Sequence, residues 1–301
     1  MLGSRCLARS APVRILNTPS QSPALVEVPC PLCGATDPVL YVLAPSHYGP
    51  ERHRVTRCVT CGMIYTNPQP TTYLDEVENR GALDRHFRPD MLAAMERQGR
   101  FLLHLIQRFA PGKKLLDFGC GAGGMVNAAR QAGWSVTGFD MNRGLVEVAN
   151  RHWQFDLIKT GWLDEFYATH AGQFDAIISY QVFEHIQTPV AAAREMARLL
   201  QPGGVLLIDV PNVHQPQEWL SRGKTLDPTS HWCHFSTKTL ADLMQRAGLD
   251  TQYVSAAPSL CGLYQKLGFH QWCSQLGALT KSLLPPVGSG VCVIARKPSS
   301  R

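Results

Sequence analysis

The eleven residues from Lys114 to Gly124, Lys-Leu-Leu-Asp-Phe-Gly-Cys-Gly-Ala-Gly-Gly, constrain the fold of this chain more than any other stretch. An apolar run suited to a strand ends in glycines at 119, 121, 123 and 124, and a helical pattern opens at Met125. Glycine admits left-handed backbone angles and lets a ligand approach the main chain with no Cβ in the way. A strand feeding a glycine turn that feeds a helix opens a βαβ fold, whose ligand lies at the carboxyl ends of parallel strands. Gly119, Gly121 and Gly124 satisfy G-x-G-x-x-G, and Asp140 stands 21 residues beyond Gly119, which taken alone fits a dinucleotide site. Asp117 argues otherwise. A carboxylate two residues before the first glycine repels a pyrophosphate seated over the helix N-terminus and attracts a cationic amino-acid ligand.

The chain beyond this turn alternates in the same way. Apolar runs at 114–118, 135–139, 155–159, 174–180 and 204–210 are separated by helical stretches at about 124–133, 142–152 and 189–201. This alternation predicts an α/β fold, a doubly wound and mostly parallel sheet with helices on both faces. An irregular segment follows Pro211, then a helix near 237–247 with Ser236 or Thr237 as its N-cap, an aromatic-rich insertion, and a closing run Gly290–Arg296. Upstream, residues 71–112 carry Met91, Leu92, Met95, Phe101, Leu102, Leu105, Ile106 and Phe109 at helical spacing, ended by Pro111-Gly112. With 301 residues, 45% hydrophobic and 17% charged, the chain can bury a sizeable core and is not disordered throughout. No stretch approaches the ~18 consecutive apolar residues of a membrane span. The net charge is +6, of which Arg5, Arg9 and Arg14 in the acid-free residues 1–26 supply three. There is no Lys/Arg block, so nucleic-acid binding has little electrostatic support. Residues 1–29, rich in Ser, Pro, Arg and Ala, read as a disordered tail, with a transit peptide as the other reading.

Four of the ten cysteines form two C-x-x-C-G knuckles, Cys30-Pro-Leu-Cys33-Gly and Cys58-Val-Thr-Cys61-Gly. Each knuckle can turn two thiolates toward one ion, and four thiolates suit tetrahedral Zn²⁺ with no open position, hence a structural site. Two disulfides would require an oxidising compartment, for which nothing in the sequence speaks, and a redox C-x-x-C would be expected singly beside a βαβ unit. His47 and His53 lie between the knuckles and are read as solvent-facing. Cys6, Cys233, Cys261, Cys273 and Cys292 show no paired spacing and are expected as free thiols, which together with the knuckles points to a reducing, cytoplasmic compartment.

Leu115-Leu-Asp-Phe-Gly-Cys-Gly-Ala-Gly123 resembles the first motif of class I S-adenosylmethionine-dependent methyltransferases, and the likeness continues in order. Val136-Thr-Gly-Phe-Asp140 is similar to the second strand, ending in the acid that grips both ribose hydroxyls. Phe174-Asp-Ala-Ile-Ile-Ser-Tyr-Gln-Val-Phe-Glu-His-Ile186 is similar to the fourth strand and its loop, and Leu199-Leu-Gln-Pro-Gly-Gly-Val-Leu-Leu-Ile-Asp209 to the helix, P-G-G turn and fifth strand. The resemblance implies a seven-stranded Rossmann-like sheet. It places S-adenosyl-L-methionine against Asp117, Gly119, Cys120, Gly121, Asp140, Met141, Trp162, Leu163 and Tyr180. Trp162, in Gly161-Trp-Leu-Asp164, either stacks on adenine or caps the core. The N-terminal module, running through Cys61-Gly-Met-Ile-Tyr-Thr-Asn-Pro-Gln-Pro70, resembles the zinc knuckle of bacterial small-molecule and sugar methyltransferases.

That resemblance implies methyl transfer to a small-molecule acceptor, O- or C-linked, free or attached to a carrier or nucleotide. His185 is the candidate base nearest the expected methyl position, with helix capping or a shelf under the cofactor as its other reading. Ubiquinone-type O-methyltransferases carry Glu-x-x-Glu-His here, in some linked to a divalent metal; this chain has Gln181 at the first Glu, which weakens a catalytic metal. His234, in His231-Trp-Cys-His-Phe-Ser236, either faces the substrate or ties its loop to the sheet. The competing function is a methyltransferase of RNA or protein with the zinc module as reader. Residues 30–70 carry only Arg52, Arg54 and Arg57 against Asp37 and Glu51. The expected layout is a tail over 1–29, a zinc module over 30–70, a helical linker or cap over 71–112, and a cofactor-binding domain over 113–301 with insertions at 212–235 and 255–287.

Overall fold

The computed structural model describes residues 25–46, 50–70, 86–161, 163–214, 226–256 and 290–299. A seven-stranded sheet organises them. Its strands are β6 (Lys114–Phe118), β7 (Ser135–Phe139), β8 (Ile158–Lys159), β9 (Phe174–Tyr180), β10 (Leu200–Pro211), β12 (Asp250–Ser255) and β13 (Gly290–Arg296). They lie in the order β12-β13-β10-β9-β6-β7-β8. From β10 to β8 every pairing is parallel, and β13 runs antiparallel to both of its neighbours, β10 and β12. The order reverses between β6 and β9. A crevice opens at such a switch point, at the carboxyl ends of the strands.

Alternation along the strands divides the core. Leu116, Ile177, Leu206 and Ile208 point to one face, and Leu115, Ile178, Val205 and Leu207 to the other. Helices α1 (Pro89–Ile106), α2 (Gly124–Gln131) and α3 (Arg143–Trp153) cover the second face, through residues such as Leu102, Val126 and Val146. Helices α4 (Leu163–Thr169), α5 (Pro189–Leu199) and α6 (Thr237–Arg246) cover the first, through Phe166, Met196 and Leu240. Both faces are covered, which is why the parallel strands read as continuous apolar runs. Ser236 caps α6 in a reciprocal box with Thr239.

Helix α1 packs directly on α2, where a Cβ on Gly99 would come within 3.0 Å of Met125, so of the two readings of this stretch, linker or cap, its described part lies as a cap on the sheet's second face. Three elements differ from the sequence reading. Strand β12 lies in a stretch, Asp-Thr-Gln-Tyr-Val-Ser, too polar to register as a buried run; it is an edge strand. Helix α4 was not foreseen. Residues 25–29 belong to the N-terminal module and not to a tail: β1 (Leu25–Val26) pairs with β5 (Gln69–Pro70), and Val28 N–H donates to Asn67 Oδ1 at 2.9 Å. Residues 1–24, part of the first insertion (215–225) and nearly all of the second (within 257–289) lie outside the described residues.

The module is a second, antiparallel sheet of β2 (Pro38–Pro45), β3 (Arg52–Cys58), β4 (Ile64–Thr66) and β11 (Cys233–His234), in the order β11-β4-β3-β2. Its last strand comes from far along the chain, with Cys233 opposite Tyr65 and His234 opposite Ile64. Cys30, Cys58, Met63 and Tyr65 lie in the same buried cluster as Phe183, Phe235 and the first face of the large sheet.

Candidate functional site

The glycine turn is built at the end of β6. Gly119, Gly121 and Gly123 take positive φ of 77°, 51° and 75°. Asp140, just past β7, pins the turn: one carboxylate oxygen accepts the Gly121 N–H at 2.8 Å and the other accepts the Asn142 N–H at 2.9 Å. Burial raises the Asp140 pKa, and those two amides and nearby His86 oppose it. Asp117 is 2% exposed. One of its oxygens has no partner among the described residues, and burial, with the Asp140 carboxylate beside it, pushes its pKa up to about 8. An orphaned buried carboxyl beside a glycine turn is a feature that an ammonium group could complete.

The other candidates on this side divide. Met141 is 66% exposed beside Asp140, open to a flat apolar ring. The Cys120 thiol is buried in the core against Gly138, its pKa raised by burial, and its N–H donates to the Phe139 carbonyl at 3.1 Å. Tyr180 ends β9; burial, then Asp209 and Glu184, push its hydroxyl up to about 12. Leu163 opens α4, and Trp162 lies outside the described residues. His86 escaped the sequence reading because it belongs to no motif. Its ring lies against the turn, with Nδ1 3.7 Å from where a Gly121 Cβ would stand.

Beyond β9 the chain turns at Gln181, a non-glycine residue with φ of 57°. The Gln181 N–H and side-chain amide both donate to Asp209, at 2.8 and 3.2 Å. A 3₁₀ turn (Phe183–His185) follows. Glu184 is fully buried with one oxygen unpartnered, and burial raises it to about 8. His185 donates from Nδ1 to the Ser230 carbonyl at 3.0 Å, because a carbonyl can only accept, and this leaves Nε2 as the basic nitrogen. His231, absent from the expected site, meets His185 edge-on with ring centroids 4.8 Å apart. One ligand atom each from Glu184, His185 and His231 lie within 4.8 Å of one another, a set that could hold a divalent ion although Gln181 replaces a carboxylate. His234 is 5% exposed, with Nε2 3.2 Å from Thr66 Oγ1; burial, then His231, lower its pKa to about 3. It faces the module.

The four module cysteines converge. Cys30 and Cys61 sulfurs are 3.5 Å apart, as are those of Cys33 and Cys58, and all four lie within 4.8 Å of one another. A zinc tetrahedron with bonds of about 2.3 Å sets its sulfurs about 3.8 Å apart, so the cradle fits. The two knuckles repeat one design. Gly34 and Gly62, at φ of 80° and 83°, each return an N–H to the carbonyl of the first cysteine. Amides of Leu32 and Cys33 face the Cys30 sulfur, and those of Thr60 and Cys61 face that of Cys58. Burial raises Cys30 and also Cys61, the latter to about 11; it opposes the Cys58 thiolate too, but there the amides and Cys33 outweigh it and bring Cys58 to about 7. A cation would stabilise all four thiolates. All seven cysteines among the described residues are free thiols.

Comparisons with known proteins agree with this geometry. An alignment of 113 positions covering 36% of the chain is 34% identical to the ubiquinone biosynthesis O-methyltransferase of Escherichia fergusonii, and one of the same extent is equally similar to that of Escherichia coli K12. The match covers 47% of each of those proteins, so the chain spans about half the length of the curated relatives it matches. In fold it resembles a chain of the Haloferax volcanii complex between the Trm112 methyltransferase activator and a methyltransferase, with a TM-score of 0.50 at 19% identity, covering 75% of this chain and 100% of that one. No helix among the described residues is long and apolar enough to cross a membrane. A model of the methyltransferase domain matches residues 91–254, more than half of the sequence, and with the sheet order and glycine turn above it the chain belongs to the methyltransferase domain family.

Proposed function

We propose that this chain is an S-adenosyl-L-methionine-dependent methyltransferase acting on a small molecule, with a structural zinc in its cysteine module. The observation that carries the reading is Asp117, a fully buried carboxyl with an unpartnered oxygen, two residues before a glycine turn pinned by Asp140. Asp117 would take the amino group of the methionine part, Asp140 the ribose hydroxyls, and Met141 the adenine edge; when bound, the sulfonium supplies an activated methyl group. Gly121 keeps the approach to the main chain open, since nothing but His86 stands near its missing Cβ. Tyr180 and the turn at Gln181 would close the floor toward the acceptor.

His185 is the base in this reading. With its Nδ1 proton held by Ser230, Nε2 would receive the proton of an acceptor hydroxyl or acidic carbon as that atom's electron pair forms the new bond to the methyl carbon. The bound sulfonium would give up its methyl carbon with the carbon–sulfur electron pair going to sulfur, so that charge balances. His231 stands beside His185, where it can share that proton or orient the acceptor. The Escherichia relatives are O-methyltransferases of ubiquinone biosynthesis, which makes an acceptor oxygen the first class to try, carrier- or nucleotide-linked acceptors being the second. A four-thiolate zinc site would fit a reducing, cytoplasmic setting.

Two experiments test this. Calorimetric titration of S-adenosylmethionine should show one site per chain, lost or strongly weakened in Asp117→Asn. Methyl-labelled cofactor presented with a panel of catechols and nucleotide-linked sugars should release S-adenosylhomocysteine with one class. Absence of cofactor binding by well-folded protein would overturn the reading.

A further inference from the structure

Thr66 is the last residue of β4, five residues beyond Cys61, and it is buried. Its backbone N–H donates to the Trp232 carbonyl at 3.0 Å. Its hydroxyl donates to the His231 carbonyl at 2.9 Å, and the same oxygen lies 3.2 Å from His234 Nε2. A hydroxyl has one proton to give. With that proton committed to His231, the ring of His234 must be the donor, which fixes His234 as the Nε2–H tautomer. One side chain of the cysteine module therefore holds the backbone of one histidine and the ring of another.

The loop 230–234 is gripped from its other side by the turn after β9. Trp232 N–H donates to the Glu184 carbonyl at 2.8 Å, Cys233 Sγ to the Ile186 carbonyl at 3.4 Å, and His185 Nδ1 to the Ser230 carbonyl at 3.0 Å. The loop is thus a layer between the module and the acceptor side, and the position of His231 is set by both. We propose that Thr66 is a positioning residue through which the cysteine module sets the His231–His185 pair, so that the module forms part of the acceptor site. The inference rests on the methyl-transfer reading for the role of that pair, and on hydrogen-bond geometry alone for the link. A merely buried threonine would fill space; this one spends its single proton and its lone pair on two different histidines.

The test uses full-length, zinc-loaded protein labelled with ¹⁵N at histidine. Long-range ¹H–¹⁵N spectra report each ring's tautomer, with signals assigned through His185→Gln, His231→Gln and His234→Gln. Wild type should show His234 as Nε2–H and His185 as Nδ1–H. Thr66→Val, equal in shape but without the hydroxyl, should lose the fixed His234 pattern and shift the ring signals of both His231 and His185. One zinc per chain should remain, and the S-adenosylmethionine Kd should stay within about threefold of wild type. Thr66→Ser should restore the wild-type spectrum. Unmoved His231 and His185 signals in Thr66→Val, or no restoration by serine, would overturn the proposal. Should the valine variant not fold, withdrawing and returning zinc in wild type gives the second readout: the two signals should shift reversibly, and signals that stay fixed would overturn it. Failure of wild type to bind S-adenosylmethionine would instead sink the methyl-transfer reading, leaving the tautomer result standing.

Discussion

Asp140 uses its two oxygens for different purposes, which makes it the sharpest single-residue test of the site. One oxygen holds Gly121 and the other Asn142, so the carboxylate shapes the turn before any ligand arrives. Asp140→Ala removes both bonds along with the acceptor for vicinal hydroxyls, while Asp140→Asn keeps one oxygen. Bonds to a charged group are worth about 1.5–3 kcal/mol, so alanine should weaken S-adenosylmethionine about 10–100-fold and asparagine less, read by calorimetric titration. Asp209 tests the electrostatics. Burial raises its carboxyl from 3.8 to about 7, the Gln181 amide opposing. Between those values the folded chain holds a proton that the unfolded chain lacks, so the stability it contributes is full at low pH and is lost as pH rises through about 7. Asp209→Asn removes that dependence. Relative to wild type the variant should gain stability, on the order of a few kcal/mol, between about pH 4 and pH 8, checked by urea unfolding at both ends. A constant difference across that range would mean that Asp209 is ionised in the folded protein.

At the scale of elements, the β6–turn–α2 unit separates glycines that serve packing from glycines that serve access. A Cβ on Gly119 would stand 2.3 Å from Val182 Cγ2, at a φ of 77°. Gly119→Ala meets both a left-handed penalty and a clash, about 2–5 kcal/mol together, and should lower the melting temperature markedly. Gly121→Ala meets only the backbone penalty, about 1–2 kcal/mol, because its nearest neighbour is His86 at 3.7 Å. Thermal unfolding of the pair should rank them in that order. The same unit was the most legible part of the sequence. Strands β6, β7 and β9 fall at the bounds that their apolar runs predict, because strands covered on both faces are predominantly apolar. Strand β12 was illegible for the opposite reason, as an edge of mostly polar residues, and β2 because exposed Val39, Leu40, Tyr41 and Leu43 break any one-sided alternation. His231 left no local signal. Its place beside His185 comes from the pairing of β11 with β4, a contact across more than 160 residues that no periodicity reports.

At the scale of the whole molecule, the cysteine module and the catalytic sheet share one core, and this decides how the chain should respond to losing its metal. Cys30, Cys58, Met63 and Tyr65 pack in the same cluster as Phe118, Ile177, Phe183 and Leu240. Strand β11 completes the module's sheet from within the second half of the chain, and Lys238 of α6 donates to the Cys61 carbonyl at 3.2 Å. An independent module would melt alone on chelation and leave the large sheet untouched. A module fused in this way adds its metal-binding free energy to the whole, since an ion that binds only the folded state stabilises everything that folds with it. Zinc analysis should find one ion per chain, and Cys30→Ser with Cys33→Ser should remove it. Calorimetry of that variant, or of chelated wild type, should then show a single transition lowered by on the order of 10 °C, in proportion to the several kcal/mol lost. Two transitions, with the upper one at the wild-type temperature, would mean that the shared cluster does not couple the parts, and the acceptor-side histidines would then have to be held by the large sheet alone.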